Sequence, residues 1–378
     1  MARFKRVVVD RMVPALRPLG IRTVDRPTYR RFIVGRVERF DQSNTAFDRT
    51  KWDTEFKRRL RESCEPGCFF LPLEKPAYKF PSTGLYIAHS SRAELRDWEN
   101  AALYDASWKV YEDMADCWDG PVNPERLPVP DPSEMSERVK RAARLFGADL
   151  VGVCVLDQRW VYRYERGPGF YRDPPSRRPS RIPHKYAISI GVEMDYEMHK
   201  TSPSYLENVA TGIGYSKMRI ITTQLAQYIR GIGYPAYAHG NERVLNIPIA
   251  IDAGLGELGR NGLLITPQFG PRVRLCSVTT DLPLKPDKPI DIGIQGFCEK
   301  CERCAKMCPA QAIKHGRRTA TRKNVSNRGG IMRWPVDAER CLAFWGANKA
   351  EWQNCGVCIS VCPWNEDGRR VPARLRRR

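Results

Sequence analysis

The sequence contains no long apolar run. No segment of its 378 residues approaches the roughly 18 consecutive apolar residues that a membrane span needs. The first residues, MARFKRVVVDRMVPALRPLG, lack the apolar core of a secretory signal peptide. We therefore expect a soluble, cytoplasmic chain, unless a signal segment has been removed from it.

Acidic residues are scarce relative to basic ones. Lysine and arginine total 63 against 43 aspartates and glutamates, which gives a formal charge of +20. Such a charge attracts acidic partners and, at low salt, nucleic acid. Two basic runs, IKHGRRTATRKNVSNRGG and the tail RRVPARLRRR, are typical of solvated segments, and binding of an acidic electron donor or RNA is the alternative. Charge alone selects none of these partners.

Cysteine, in contrast, is abundant and regularly spaced. The segment GFCEKCERCAKMCPAQAI has the C-x2-C-x2-C-x3-C-P spacing of bacterial ferredoxins, in which thiolates hold the irons of a cubane cluster. A second segment, CLAFWGANKAEWQNCGVCISVCPWNE, adds one more cysteine and another C-x2-C-x3-C-P run. Structural zinc sites or disulfides are the alternatives, but zinc modules usually pair C-x2-C units and lack the Cys-Pro ending. We predict two 4Fe-4S clusters.

The ligands of each cluster follow from the same spacing. In two-cluster ferredoxins the fourth cysteine of each run binds the other cluster. The predicted first set is Cys298, Cys301, Cys304 and Cys362, and the predicted second set is Cys308, Cys341, Cys355 and Cys358. The other five cysteines suit a reducing compartment in which thiols stay free.

The segment upstream of the cysteines predicts an α/β (α+β) fold. A helix from Ser133 to Gly147 precedes a valine-rich strand, YAISIGVEM and RVRLCSVTTDLPL indicate further strands, and YSKMRIITTQLAQYIRGIGY indicates an amphipathic helix. Residues 1–130 show no clean period, and we expect a wrapping segment with short helices. The predicted division is therefore 1–130, a core over 131–295, and a ferredoxin-like module with a basic tail over 296–378.

Several segments resemble the corrinoid-dependent reductive dehalogenases. They are TGIGYSKM, AIDAGLGELGRNGLLITPQFGPRVRL, TDLPLKPDKPID and both cysteine runs, with a looser likeness in VERFDQSNTAFDR. The resemblance covers about residues 140–365. It implies a nitroreductase-like domain that holds cobalamin, with two 4Fe-4S clusters below it. The implied activity is that of an oxidoreductase that replaces a carbon-bound halogen by hydrogen, with electrons supplied by the clusters.

The resemblance also implies the site residues. The catalytic residues would be Tyr215 in GIGYSKM, Asn241 in AHGNERV and Arg274 in PRVRL. Exchange of halogen for hydrogen takes two electrons and one proton, so the tyrosine would donate the proton and the arginine would stabilise the phenolate left behind. By the same resemblance the glycines of GLGELGRNG lie along a backbone-lined approach to the corrinoid. They are Gly254, Gly256, Gly259 and Gly262.

The cobalt ligation and the partners complete the expectation. None of the five histidines follows an aspartate by two residues, so the D-x-H-x-x-G motif of proteins that ligate cobalt through histidine is absent. Together with the resemblance, this predicts a base-off corrinoid. The implied partners are a small organohalide, an acidic low-potential electron donor such as ferredoxin or flavodoxin, and a membrane-anchor partner if a twin-arginine signal has been removed. No nucleic acid is expected.

Two other functions compete with this expectation. Epoxyqueuosine reductase is a related cobalamin and double-cluster enzyme that acts on tRNA, which would suit the positive charge. Its catalytic aspartate directly precedes a tyrosine in DYH, whereas Gly214 precedes Tyr215 in this sequence. An iron-sulfur electron-transfer protein is the second alternative, and such a carrier would bind no corrinoid stoichiometrically.

The cysteine spacing generates the first testable prediction. Anaerobically reconstituted protein should hold about eight irons, the content of two cubanes. Replacement of Cys362 by alanine should damage the cluster whose other ligands begin at Cys298. Iron and zinc analysis of both proteins tests this, and bound zinc with almost no iron would contradict it.

Overall fold

Helices and strands alternate along the chain. The structure, a computed structural model, describes residues 20–62, 76–79, 86–88, 95–114, 117–164, 179–347 and 354–365. The helices are α1 (Ala46–Trp52), α2 (Thr54–Glu62), α3 (Leu95–Asp113), α4 (Pro132–Leu145), α5 (Tyr196–Lys200), α6 (Tyr205–Gly231), α7 (Asn246–Asp252), α8 (Ile294–Cys301), α9 (Arg303–Lys306), α10 (Ala338–Ala347) and α11 (Val357–Ser360). The strands are β1 (Arg22–Thr23), β2 (Pro76–Lys79), β3 (Tyr86–Ala88), β4 (Leu150–Val155), β5 (Tyr186–Glu193), β6 (Ala236–His239), β7 (Glu257–Leu258), β8 (Leu264–Ile265), β9 (Val273–Thr280) and β10 (Ile290–Asp291).

A four-stranded antiparallel sheet forms the centre of the fold. Its strand order is β4-β5-β9-β6. The two central strands, β5 and β9, are eight residues long and pair along their whole length, from Tyr186 with Thr280 to Glu193 with Val273. Both strands are buried almost throughout, and this requires cover on both faces of the sheet.

Helices cover both faces of this sheet. On one face α4 and α6 pack against Val153, Ile188, Ile190 and Val278. On the other face α7 packs against residues such as Leu150, which point the opposite way because side chains alternate along a strand. The predicted mixture of helix and sheet is therefore confirmed.

The main helix, α6, differs from its prediction at one end. It begins at Tyr205 rather than at Tyr215, because the hydroxyl of Ser204 accepts a hydrogen bond from the backbone N–H of Glu207 and caps the helix. The ten additional residues place Glu207 and Thr211 on the face of the helix that carries Tyr215, because residues four apart lie above one another. These residues matter for the site described below.

The segment with the cysteines packs on the core through a continuous apolar cluster. The cluster joins residues on both sides of the predicted boundary at 295, namely Ile265, Ile290, Ile292, Ile294, Phe297 and Trp364. The N-terminal residues also reach both parts of the chain. Tyr29 packs in the core beside Trp160, whereas Phe56 and Leu60 pack against Leu342 of α10.

Two fully buried arginines fix the same segment in place. Arg272 donates hydrogen bonds to Asn365 (2.9 Å), to Glu193 (2.6 Å) and to the carbonyl of Met194. Arg260 donates to the carbonyls of Cys298 (2.9 Å), Lys314 (2.8 Å) and Gly316 (3.0 Å). A buried guanidinium group is stable only when its donors are satisfied, so these contacts hold the cysteine segment against the core.

Among the residues described above, none of the helices is both long enough and apolar enough to cross a bilayer.

Gly270 generates a prediction about the junction between the core and the cysteine segment. It has φ +57°, and a Cβ there would lie 2.1 Å from the carbonyl oxygen of Trp364. Gly270→Ala should therefore destabilise the protein, because the backbone conformation alone costs about 1–2 kcal/mol. We expect the apparent midpoint of thermal unfolding to fall by about 1–3 °C from this term, and further because of the close contact with Trp364.

The matched control for this prediction is Gly296→Ala. Gly296 lies in α8 with no atom within 4 Å of an added Cβ, so alanine should leave the midpoint unchanged or raise it. Circular dichroism at one fixed heating rate compares the two proteins. A wild-type midpoint for Gly270→Ala, or an equal loss in both variants, would contradict the packing described for this junction.

Candidate active site

One cavity of about 740 Å³ is lined by the core and by the cysteine segment together. Tyr215, Asn241 and Arg274 all line it. The second set of cysteines lines it as well, namely Cys308, Cys341, Cys355 and Cys358. The structure therefore brings the three proposed catalytic residues and one complete set of proposed iron ligands to a single space.

Asn241 and Arg274 both approach the hydroxyl oxygen of Tyr215. The side-chain amide of Asn241 donates to this oxygen at 2.5 Å, and Nη1 of Arg274 lies 3.5 Å from it. The guanidinium carbon of Arg274 also lies 4.9 Å from the centre of the tyrosine ring. Both neighbours are donors, so the proton of the hydroxyl is not used in either contact.

Three separate elements supply this trio. Tyr215 is on α6, Asn241 follows β6, and Arg274 is on β9. Gly214 allows the close approach of α6 to β9, because a Cβ at this position would lie 2.9 Å from Cγ of Arg274. The glycine before the tyrosine therefore has a packing reason within this chain.

Aromatic residues of α3 form the wall behind Tyr215. The ring of Trp108 stacks on Tyr215 with centroids 4.7 Å apart, and Tyr111 contacts the same ring at 4.9 Å. The helices approach closely at Gly212, where a Cβ would lie 2.2 Å from Oγ of Ser107. Sequence reasoning missed these aromatic residues because α3 lies in the segment without a clean period.

A hydrogen-bond network links Arg274 to the second set of cysteines. Nη2 of Arg274 donates to Thr211 at 3.1 Å, and Thr211 donates to Glu207 at 3.3 Å. The amide of Asn354, the residue before Cys355, donates to both Glu207 and Thr211 at 3.1 Å. Burial raises the pKa of Glu207 to about 7, although the nearby Arg274 opposes that rise. Sequence reasoning missed this network, and the four-residue spacing of Glu207, Thr211 and Tyr215 is the signal that could have revealed it.

None of the described histidines lines the cavity, although His199 contacts two residues that do, Met194 and Glu207. His184 and His239 each contact the hydroxyl of Thr279 at 2.9 Å, and neither lines the cavity. His199 contacts the sulfur of Met194, and burial lowers its pKa to about 3. His315 is half exposed at 49% of its side chain, and His89 lies outside the described residues.

The first set of cysteines surrounds a second, smaller space. This space is lined by Cys298, Cys301, Cys304 and Cys362 together with Arg260 and Phe297. In the described ranges, no three His, Cys, Asp or Glu side chains are placed to hold a single metal ion. Burial raises the pKa of Cys298 to about 11 and that of Cys341 to about 12. Thiolates at these positions would therefore depend on the positive charge of bound iron.

The four glycines of GLGELGRNG have different surroundings. Only Gly262 is among the residues that line the cavity. A Cβ at Gly254 would lie 2.5 Å from the carbonyl oxygen of Lys288, and one at Gly256 would lie 2.2 Å from that of Ile265. At Gly259 it would meet Asn261 at 2.8 Å. The structure therefore gives three of the four glycines a role in protein packing, and we retain only Gly262 as a proposed corrinoid contact.

Comparison with known proteins identifies two regions of the chain. Residues 171–284 match the reductive dehalogenase subunit family, and residues 297–365 match the 4Fe-4S double cluster binding domain. The tetrachloroethene reductive dehalogenase of Sulfurospirillum multivorans is 38% identical over 279 residues, which are 66% of this chain and 55% of that protein. The chain thus spans about half the length of the curated dehalogenases that it matches.

Two further comparisons separate the related families. The solved structure of the catabolic reductive dehalogenase NpRdhA matches with a TM-score of 0.70 at 25% identity, over 94% of this chain and 45% of that chain. The epoxyqueuosine reductase of Xanthomonas campestris is 26% identical over 285 residues, which are 65% of this chain and 74% of that protein. The matched regions, the higher identity to the dehalogenases and the shared fold lead to one assignment. The chain belongs to the reductive dehalogenase family.

Proposed function

We propose that this chain is a reductive dehalogenase that converts a small organohalide R–X, two electrons and one proton into R–H and a halide ion. The observation that carries the proposal is the shared cavity. A tyrosine with two hydrogen-bond donors on its oxygen and a complete set of four cysteines line the same space. A proton source and an electron source therefore meet where a substrate can bind.

The cavity has the properties of a corrinoid site. Its walls are mostly apolar and include Phe40, Phe47 and Trp345. Gln42 also lines it, and the amide oxygen of this side chain is buried without a hydrogen-bond partner among the described residues, which leaves an acceptor for the amide groups that edge a corrinoid. These residues, with Gly262, would hold the cofactor. The chemistry that bound cobalamin supplies is reduction of the carbon–halogen bond by a low-potential cobalt.

The chain itself supplies the proton at the Tyr215 hydroxyl. Loss of that proton leaves a phenolate, whose charge is stabilised by the guanidinium group of Arg274 and by the N–H donor of Asn241. The stacked ring of Trp108 restricts the movement of the tyrosine and covers one of its faces. In this proposal Tyr215 is the general acid, and the other residues hold it in position and contact the oxygen from which the proton leaves.

The two cysteine sets define an order for the electrons. The second set lines the cavity, whereas the first set lines the separate space beside Arg260. We therefore propose that electrons arrive at the first cluster, pass to the second and leave it toward the cavity. The donor would be an acidic low-potential carrier such as a ferredoxin or flavodoxin. A cytoplasmic location is proposed with it, since Cys117, Cys154 and Cys276 are free thiols.

The geometry argues against the tRNA-modifying alternative. In epoxyqueuosine reductase the catalytic aspartate precedes the tyrosine, and Gly214 holds that position in this chain. Even a Cβ there would lie 2.9 Å from Arg274, so an acidic side chain would displace the arginine. Retention of both groups in one site is therefore disfavoured.

The histidine positions predict the ligation of cobalt. None of the described histidines lines the cavity, so none of them would supply a nitrogen ligand to bound cobalt there, and with the family resemblance we predict a base-off corrinoid. Electron paramagnetic resonance of the Co(II) form tests this directly. We expect no nitrogen superhyperfine splitting from an axial base, and a resolved splitting would contradict this ligation.

The proton donor is tested by Tyr215→Phe. The variant keeps the ring and its stacking on Trp108 but removes the transferable proton. Dehalogenation of a halogenated phenol should therefore fall by roughly a hundred-fold or more. Arg274→Lys keeps a positive charge but loses the planar fork, so a smaller loss is expected.

The control for this experiment is Tyr228→Phe, also on α6 and outside the cavity lining. All variants are compared anaerobically at equal iron and cobalamin content. Equal turnover by wild type and Tyr215→Phe would show that the proton comes from another group. An equal loss in both tyrosine variants would show that the effect is structural.

A further inference from the structure

The surface beside the first set of cysteines is rich in basic residues without acidic partners. Five of them form no ion pair within the described residues, namely Lys300, Arg303, Lys306, Lys314 and Arg317. The acidic residues of the same region are already engaged. Glu299 pairs with Arg318, and Glu302 lies 3.6 Å from His315 and 3.5 Å from Arg260. The region therefore presents positive charge that the protein itself does not neutralise.

These residues form one surface because two segments lie side by side. Arg260 donates both to the carbonyl of Cys298 and to the carbonyls of Lys314 and Gly316, which ties residues 298–306 to residues 314–317. The backbone N–H of Gly316 also donates to Glu302 at 2.6 Å. The backbone segments that carry the basic residues therefore lie next to each other and next to the first set.

An apolar side chain lies among these charges. Met307 is 53% exposed although it directly follows Lys306 and precedes the buried Cys308. Protein interfaces commonly combine an apolar contact with a polar rim, and methionine adapts its shape to different partners. We name Lys300, Arg303, Lys306, Met307, Lys314 and Arg317 the basic patch.

We propose that the basic patch is the docking surface for an acidic one-electron carrier protein that reduces the first cluster. This inference rests on the proposed function, because the reaction needs electrons from outside the chain. Each docked carrier gives up one electron and is itself oxidised, so two encounters supply the two electrons of one turnover. The first set is suited to receive them, since it lies next to the basic patch and lines a space separate from the cavity.

The composition of the patch favours a protein over RNA. Single-stranded RNA is usually bound through aromatic side chains on which bases stack, and the six patch residues include no aromatic ring. The patch also adjoins the first set rather than the residues around Tyr215, where a modified base would have to react. The basic tail after residue 365 lies outside the described residues.

Charge reversal tests the patch without any organohalide. The full chain, loaded with both clusters, is mixed anaerobically with a reduced acidic [2Fe–2S] ferredoxin, and stopped-flow absorbance follows cluster reduction. Lys300→Glu combined with Lys306→Glu should lower the second-order rate constant by about ten-fold or more at low salt, because steering by opposite charges is lost. The rate should also lose its decrease with rising ionic strength. Met307→Gln should slow reduction without changing that salt dependence.

The controls separate docking from other effects. Arg141→Glu combined with Arg144→Glu makes the same change in net charge on α4, which packs on the sheet, and should leave the rate near the wild-type value. Photoreduced deazaflavin, a small reductant, should reduce all variants equally, which excludes cluster damage. The salt dependence excludes a simple shift of the cluster potential, since such a shift would slow reduction at every ionic strength.

Two results would overturn the proposal. One is an unchanged rate and salt dependence with ferredoxin in the Lys300 and Lys306 double variant. The other is an unchanged ferredoxin rate with lost binding of an RNA stem-loop, which would make the patch a nucleic-acid site. Neither result depends on dehalogenation, so failure of the docking surface and failure of the proposed function remain distinguishable.

Discussion

Burial of two guanidinium groups is the constraint on which the architecture depends. Arg260 and Arg272 are almost completely removed from water, so each must keep its hydrogen bonds to the cysteine segment and its neighbours. Arg260 binds the backbone around Cys298, and Arg272 binds Asn365, shortly after Cys362. Displacement of this segment would leave a buried charge without partners. The cysteines are thereby held at fixed positions relative to β9 and to Arg274.

Close backbone approach has a similar role on the opposite side of the cavity. Gly212 allows α3 to pack closely against α6, and Gly214 leaves room for the side chain of Arg274. The position of Tyr215 between the aromatic residues and this arginine therefore depends on glycine at both positions. The Glu207, Thr211 and Asn354 network then joins that arrangement to the residue before Cys355. The proposed proton donor, Arg274 and the proposed iron ligands are therefore parts of one packed unit, as the proposed reaction of electrons with a proton requires.

The sequence allowed prediction of those features that depend on local spacing. The cysteine runs predicted two ligand sets, because ferredoxin-type spacing also states which cysteine crosses over. In the structure each set lines a separate space, and the binding of iron by each set stays a prediction. The spacing of apolar residues along the chain predicted α4, β4, β5 and β9. The trio of Tyr215, Asn241 and Arg274 was predicted from resemblance, since no local pattern relates residues on α6, after β6 and on β9.

Trp108 and Tyr111 were missed because the sequence of α3 shows no clean hydrophobic period. This helix lies near the site only because glycines of α6 let the two helices pack closely. The surroundings of Gly254, Gly256 and Gly259 could not be predicted for a related reason: they lie outside the cavity lining and close to the chain's own atoms. Glycine permits close approach, but the sequence does not say whether a ligand or the chain's own backbone approaches.

The central claim is that this chain delivers electrons and a proton to one cavity, where hydrogen replaces the halogen of a bound substrate. The most direct measurement is a single turnover in D₂O by protein loaded with iron and cobalamin, with a known supply of electrons. The account predicts one halide ion released for every two electrons consumed and one deuterium on the carbon that carried the halogen, because the tyrosine hydroxyl exchanges with solvent. Full loading without halide release, or a product without deuterium at that carbon, would contradict it.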